Sequence, residues 1–152
     1  MKRVVIVTGA SSGLGKAFAT ALAHASFAVV GTVRKQADVA EMESIQPGST
    51  FARILDVTDE PARLADAVEE IESRIGPVYA LINNAGYGHE GTLEESSMDE
   101  LRRQFEVNVF GAVAMIKAVL PPHAYAARRP HPERDLYGRP YDDAGSFVLP
   151  RQ

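Results

Sequence analysis

The chain has 152 residues, of which 45% are apolar and 24% charged, and a formal net charge of −4. That length supports one domain with a core of its own, and basic residues scattered without a stripe argue against a nucleic-acid partner. With no cysteine, disulfides, thiolate nucleophiles and cysteine-based zinc sites are excluded, and the 4 histidines, His24, His89, His123 and His131, are too dispersed for a metal site.

No apolar run is long enough to span a bilayer. Met1-Lys2-Arg3 ahead of Val4–Val7 imitates the opening of a signal peptide, but the run is short and leads into a glycine loop instead of a cleavage site. A cytoplasmic protein is therefore expected.

Strand and helix patterns alternate along the first 120 residues. Val4-Val5-Ile6-Val7 is a short β-branched run of the kind buried on both faces of a parallel sheet. A helix is predicted from Gly13 to about Ala25, with Leu14, Phe18, Ala21 and Leu22 on one face. A strand follows over Phe27–Val33, a short helix over Ala37–Ser44 and a third strand over Thr50–Leu55. Thr58 is placed to cap the next helix, where Pro61 is tolerated in the first turn and Leu64, Ala67, Val68 and Ile71 recur at helical spacing. Gly76-Pro77 stops it, and Val78–Ile82 reads as a fourth strand. Ser97-x-x-Glu100 is a capping box opening a long helix to about Leu120, with Leu101, Phe105, Val109, Val113 and Ile116 inward.

Strands separated by such helices predict right-handed βαβ units. The expected fold is α/β: a Rossmann-type doubly wound parallel sheet over residues 1–120, ending after about four strands. Residues 121–152 differ: 6 of the 9 prolines lie there, the last lysine is Lys117, and periodicity is lost, so an irregular tail is expected.

Thr8-Gly9-Ala10-Ser11-Ser12-Gly13-Leu14-Gly15 joins the first strand to the first helix. A dinucleotide pyrophosphate needs a backbone turn clear of Cβ atoms and free N–H groups at a helix N-terminus. Gly9 permits the turn, Gly13 lets the pyrophosphate approach, and Gly15 lets the helix pack closely. Ser11 and Ser12 add hydroxyl donors. The glycine trio alone is a weak signal; its place between a buried strand and a helix is the context that confirms it.

Thr-Gly-x-x-x-Gly-x-Gly resembles the fingerprint of the short-chain dehydrogenase/reductase family, and three further segments resemble that family in the right order. Leu55-Asp56-Val57 is similar to the segment after the third strand that meets the adenine. Asn83-Asn84-Ala85-Gly86 is similar to the signature after the fourth strand, which supports the sheet and lines the nicotinamide side. Asn108, in Val107-Asn108-Val109-Phe110-Gly111, is similar to the asparagine of the family's catalytic tetrad. The resemblance covers residues 1 to about 121 and implies an oxidoreductase using NAD or NADP on an alcohol or carbonyl, in a family that tends to homo-oligomerise.

The same residues have plainer readings. Asp56 at a strand end suits a ligand or a cap; Asn83 and Asn84 can bridge loops. Asn108, mildly unfavourable in mid-helix, points to a bound water, a local bend or an exposed position. NAD-preferring members usually carry an acid at the end of the second strand. This strand ends Thr32-Val33-Arg34-Lys35, and Arg34 can pair with a 2′-phosphate, so NADP is expected over NAD.

The family's chemistry also implies a tyrosine, a lysine four residues later that lowers its pKa, and a serine about a dozen residues earlier. The only lysines are Lys2, Lys16, Lys35 and Lys117, so Tyr-x-x-x-Lys is absent. Tyr125-x-x-x-Arg129 imitates it, but arginine differs in geometry and the pair follows Asn108 too closely. Tyr137 and Tyr141 have no lysine partner either.

The tail offers an explanation when its possible codons are read one base out of register. The junctions from Arg129-Pro130 to Arg139-Pro140 permit Gly-His-Ile-Leu-Asn-Val-Thr-Ser-Met-Gly-Gly, which resembles the family's fifth strand with its serine. Thirteen codons beyond that serine the Leu149-Pro150 junction permits tyrosine, and a stop codon after Gln152 would permit Ser-Lys. A frameshift after about Pro121 is therefore expected. Three functions stay open: a working oxidoreductase, a nucleotide-binding fragment without turnover, and a non-functional product of a disrupted gene.

Overall fold

The computed structural model describes residues 2–120. The expected tail, with Tyr125, Tyr137 and Tyr141, lies outside the described residues. Four strands, β1 (Val4–Val7), β2 (Ala28–Val33), β3 (Thr50–Ile54) and β4 (Val78–Ile82), form one sheet. All pairings are parallel and the order is β3-β2-β1-β4. Helices α1 (Gly13–His24), α2 (Ala37–Ser44) and α3 (Pro61–Arg74) make the three crossovers. The chain therefore winds outward from β1 to β3, then returns to the far side of β1. That reversal opens a crevice at the strand C-termini between β1 and β4, where ligands of such sheets sit.

Alternation along the strands divides the core in two. Val5, Val7, Val29 and Val33 face Ala19, Ala23 and Met42 of α1 and α2. Val4, Ile6 and Val30 face Leu64, Ala67, Val68 and Ile71 of α3, and Met115. Every residue of β1 is buried, and burial of each such side chain stabilises by roughly 1.5–3 kcal/mol.

Three expectations from the sequence are corrected. The face of α1 that meets the sheet is Gly15, Ala19 and Ala23, whereas Leu14 and Phe18 are 70% and 41% exposed. Small residues let the helix approach the strands, which turns the larger apolar ones outward. Thr58 does not cap α3: the cap position is Glu60, without a side-chain bond, and Pro61 opens the helix. Thr58 turns back instead, its N–H and Oγ1 donating to Asp56 Oδ1 at 3.0 and 2.8 Å.

The third correction concerns the last helix. It begins as α4 (Met98–Phe105), widens into a π-helical stretch over Glu106–Gly111, and resumes as α5 (Ala112–Val119). Met115 and Gly111 are buried, while Phe105, Val109, Val113 and Ile116 are exposed. Extra residues in a π turn rotate what lies beyond it off the uninterrupted 3.6-residue period, so Val113 and Ile116, read on that period, face away from the core; Phe105, ahead of the stretch, is exposed as well. The capping box forms as expected: Glu100 N–H donates to Ser97 Oγ at 3.2 Å, and Ser97 N–H donates to Glu100 Oε2 at 2.9 Å.

Candidate functional site

The loop after β1 is built by backbone conformations that favour glycine. Gly9 and Gly13 take φ of 67° and 53°, a region costly for side chains with a Cβ. A Cβ on Gly9 would lie 2.9 Å from Ala85 Cα, and one on Gly15 would strike the Gly9 carbonyl oxygen and the Asn84 amide. Beside Gly13 the space is open. The three glycines thus serve a turn, an open approach, and packing of the helix against the loop.

Hydrogen bonds from neighbouring strands hold this loop. Gly9 N–H donates to Thr32 Oγ1 at 3.1 Å and Ala10 N–H to the Thr32 carbonyl at 2.9 Å. Thr8 Oγ1 accepts the N–H groups of Asn84 and Ala85, each at 3.0 Å. The Asn84 amide donates to the carbonyls of Thr8 and Gly9 at 3.0 and 3.1 Å. Ser12, at the cap position of α1, makes no side-chain capping bond. The amides of the first turn, which have no intrahelical acceptor, are left for a ligand at the positive end of the helix dipole.

A cleft of about 670 Å³ opens over these amides. Gly9, Ser11, Ser12, Gly13 and Leu14 form one wall, followed by Thr32, Val33 and Arg34 from the end of β2. Leu55, Asp56 and Val57 come from beyond β3, and Asn84, Ala85, Gly86 and Tyr87 from beyond β4. Arg103 and Val107 border it from the last helix. The turn around Asp56 is held on both sides, since Asp56 N–H donates to Asp59 Oδ2 at 3.1 Å and Arg63 pairs with Asp59 at 3.2 Å.

Asn108 grips the backbone of one residue. Its Oδ1 accepts Tyr87 N–H at 3.0 Å and its Nδ2 donates to the Tyr87 carbonyl at 2.8 Å. A Cβ on Gly86 would lie 3.0 Å from Asn108 Oδ1, so the glycine makes room for the grip. Asn83 Nδ2 donates to the Ala112 carbonyl at 3.3 Å, tying the end of β4 to α5.

Gly9, Ser11, Ser12, Gly13, Leu14, Arg34, Asp56, Val57, Ala85 and Gly86 are brought together around the cleft; Gly15, Asn83 and Asn108 stand behind it as supports. Sequence reasoning missed Thr8, Thr32 and Arg103. A polar residue at each buried strand end was the available signal for the threonines, which are 1% and 2% exposed. Arg103 carries no local signal, because only the fold brings its helix to the β2 end. Among the described residues no group of three or more His, Asp or Glu side chains gathers to hold a metal. The carboxyl groups with displaced pKa, Glu41, Glu70 and Glu100, lie outside the cleft.

A strand–glycine turn–helix at a topological switch point defines a dinucleotide-binding α/β fold. The family model for short chain dehydrogenases matches residues 3–128, and the chain belongs to that family. It is 38% identical over 120 residues to the NADPH-dependent 3-dehydrocapnine reductase of Ornithobacterium rhinotracheale, a match covering 78% of this chain and 42% of that protein. The crystal structure of a short-chain dehydrogenase from Streptomyces avermitilis superposes with a TM-score of 0.74 and 38% identity, covering 82% of this chain and 45% of that one. An alcohol dehydrogenase from the archaeon Thermococcus sibiricus, complexed with 5-hydroxy-NADP, gives 0.71 and 30% identity over 79% of this chain and 52% of that one. The chain thus spans about half or less of each of these proteins.

Proposed function

We propose that residues 1–120 are the cofactor-binding part of an oxidoreductase that exchanges hydride between NADP(H) and an alcohol or carbonyl. The observation that carries the cofactor preference is Arg34, which directly follows β2 at the wall of the cleft and forms no salt bridge among the described residues. No acid stands at that strand end to hold ribose hydroxyls, and a guanidinium fork there suits a phosphate. A relative named as NADPH-dependent and a structural neighbour complexed with 5-hydroxy-NADP support the same choice.

When bound, the dinucleotide supplies a hydride donor or acceptor at its nicotinamide ring. The residues of this chain bind and orient it. First-turn amides of α1, with Ser11 and Ser12, hold the diphosphate. Asp56 and Val57 border the adenine end, and Ala85 and Gly86 the nicotinamide end. Asn108 fixes the backbone of the loop that follows Gly86.

Alcohol oxidation also releases the hydroxyl proton, which the family passes to its tyrosine–lysine couple. Among these 152 residues no Tyr-x-x-x-Lys occurs, so binding without turnover is the behaviour proposed for them. The proline-rich composition of residues 121–152 favours a companion reading, a one-base displacement of the frame after about Pro121. The proposed setting is cytoplasmic; among the described residues no helix is long and apolar enough to cross a membrane.

Calorimetric titration of wild type and Arg34→Asp with NADP and NAD tests the cofactor choice. Loss of a charge-assisted phosphate contact is expected to weaken NADP by roughly ten-fold or more and move the preference towards NAD. An unchanged preference refutes it.

A further inference from the structure

We infer that Arg103, on α4, is a second specificity residue, holding the 2′-phosphate of NADP from the helix side while Arg34 holds it from the sheet side. The inference rests on the NADP reading above and names a residue that reading does not use. Both arginines border the main cleft, and both border an adjoining groove of about 480 Å³ together with Asp56, Thr58 and Glu106. Asp56, placed against the adenine end, marks this groove as the adenosine side.

The charges facing the groove sort by what they already do. Arg102 is paired with Asp99 at 3.0 Å, and one oxygen of Asp56 accepts two bonds from Thr58. Arg103 is exposed and, like Arg34, forms no salt bridge among the described residues. Glu106 is the remaining acid. A phosphate monoester carries close to two negative charges at neutral pH, so one guanidinium leaves it half compensated and a second completes the pairing.

The helix that carries Arg103 is also fixed before any ligand arrives. The capping box fixes its start, and the Asn108 grip on Tyr87 fixes the far end. A guanidinium on a fixed helix loses less freedom when it closes on an anion than one on a loose loop.

The test is calorimetric titration of the full chain with NADP and with NAD at one ionic strength, for wild type, Arg34→Gln, Arg103→Gln and Arg103→Lys. Arg103→Gln is expected to weaken NADP about ten-fold or more and leave NAD within about two-fold, with Arg103→Lys recovering part of the loss. Thermal unfolding at the wild-type midpoint would show that Arg103→Gln leaves the fold intact. If Arg103→Gln leaves NADP binding unchanged while Arg34→Gln weakens it, the inference fails and the NADP reading stands. An equal loss for both cofactors also overturns it, by placing Arg103 on a part the two share. Wild type binding NAD as tightly as NADP overturns the reading itself, and the inference with it.

Discussion

A methyl group at Gly15 has no room, because the Gly9 carbonyl and the Asn84 amide occupy its place. Both belong to the hydrogen-bonded lattice that sets the loop, so Gly15→Ala must push the loop away from β4. Overpacking of this kind costs about 1–3 kcal/mol. The expected outcome is a lower urea midpoint together with weakened dinucleotide binding by titration. Binding and midpoint both unchanged would contradict the close approach of α1 to the loop. Asn108 acts at the same scale in another way: its carboxamide satisfies both backbone groups of Tyr87, a structural task that its place in a family motif does not disclose.

At the scale of the element, α4 depends on its first turn. Glu100 has its carboxyl held below the ordinary value of 4.5, first by the Ser97 hydroxyl and then by the Ser97 backbone N–H. A depressed folded value means that the stabilisation is present above 4.5 and is lost as the pH falls through the folded value. Ser97→Ala is expected to lower stability at neutral pH by about 1 kcal/mol, and its difference from wild type should shrink on acidification. Urea denaturation of both proteins over that window checks this; a difference independent of pH would show that the box contributes nothing through Glu100. The π stretch that follows has no such start signal. Its last residue, Gly111, packs so closely on Val57 that a Cβ there would lie 2.6 Å from Val57 Cγ2, a contact distant in sequence that no pattern of apolar spacing announces.

For the molecule as a whole, the sequence made the strands, their parallel direction and the phosphate turn legible, because each rests on short-range rules: β-branched runs, a helix between strands, glycine where φ is positive. Which side of α1 and α5 meets the sheet was not legible, since small residues and the π stretch decide it through contacts distant in sequence. The partnership of Arg34 with Arg103 was hidden for the same reason. Residues 121–152 raise a question that the nucleotide sequence answers. Read one base out of register after about Pro121, the coding DNA is expected to give Gly-His-Ile-Leu-Asn-Val-Thr-Ser-Met-Gly-Gly across codons 129–140, and any other text overturns the displaced frame. The Asn84 side chain has one further effect. By engaging the carbonyls of Thr8 and Gly9, while Lys16 N–H engages that of Ser12, the fold occupies three of the turn's oxygens and leaves the nitrogens of the first helical turn at the positive helix mouth, so the turn favours an anion over a cation whatever its shape.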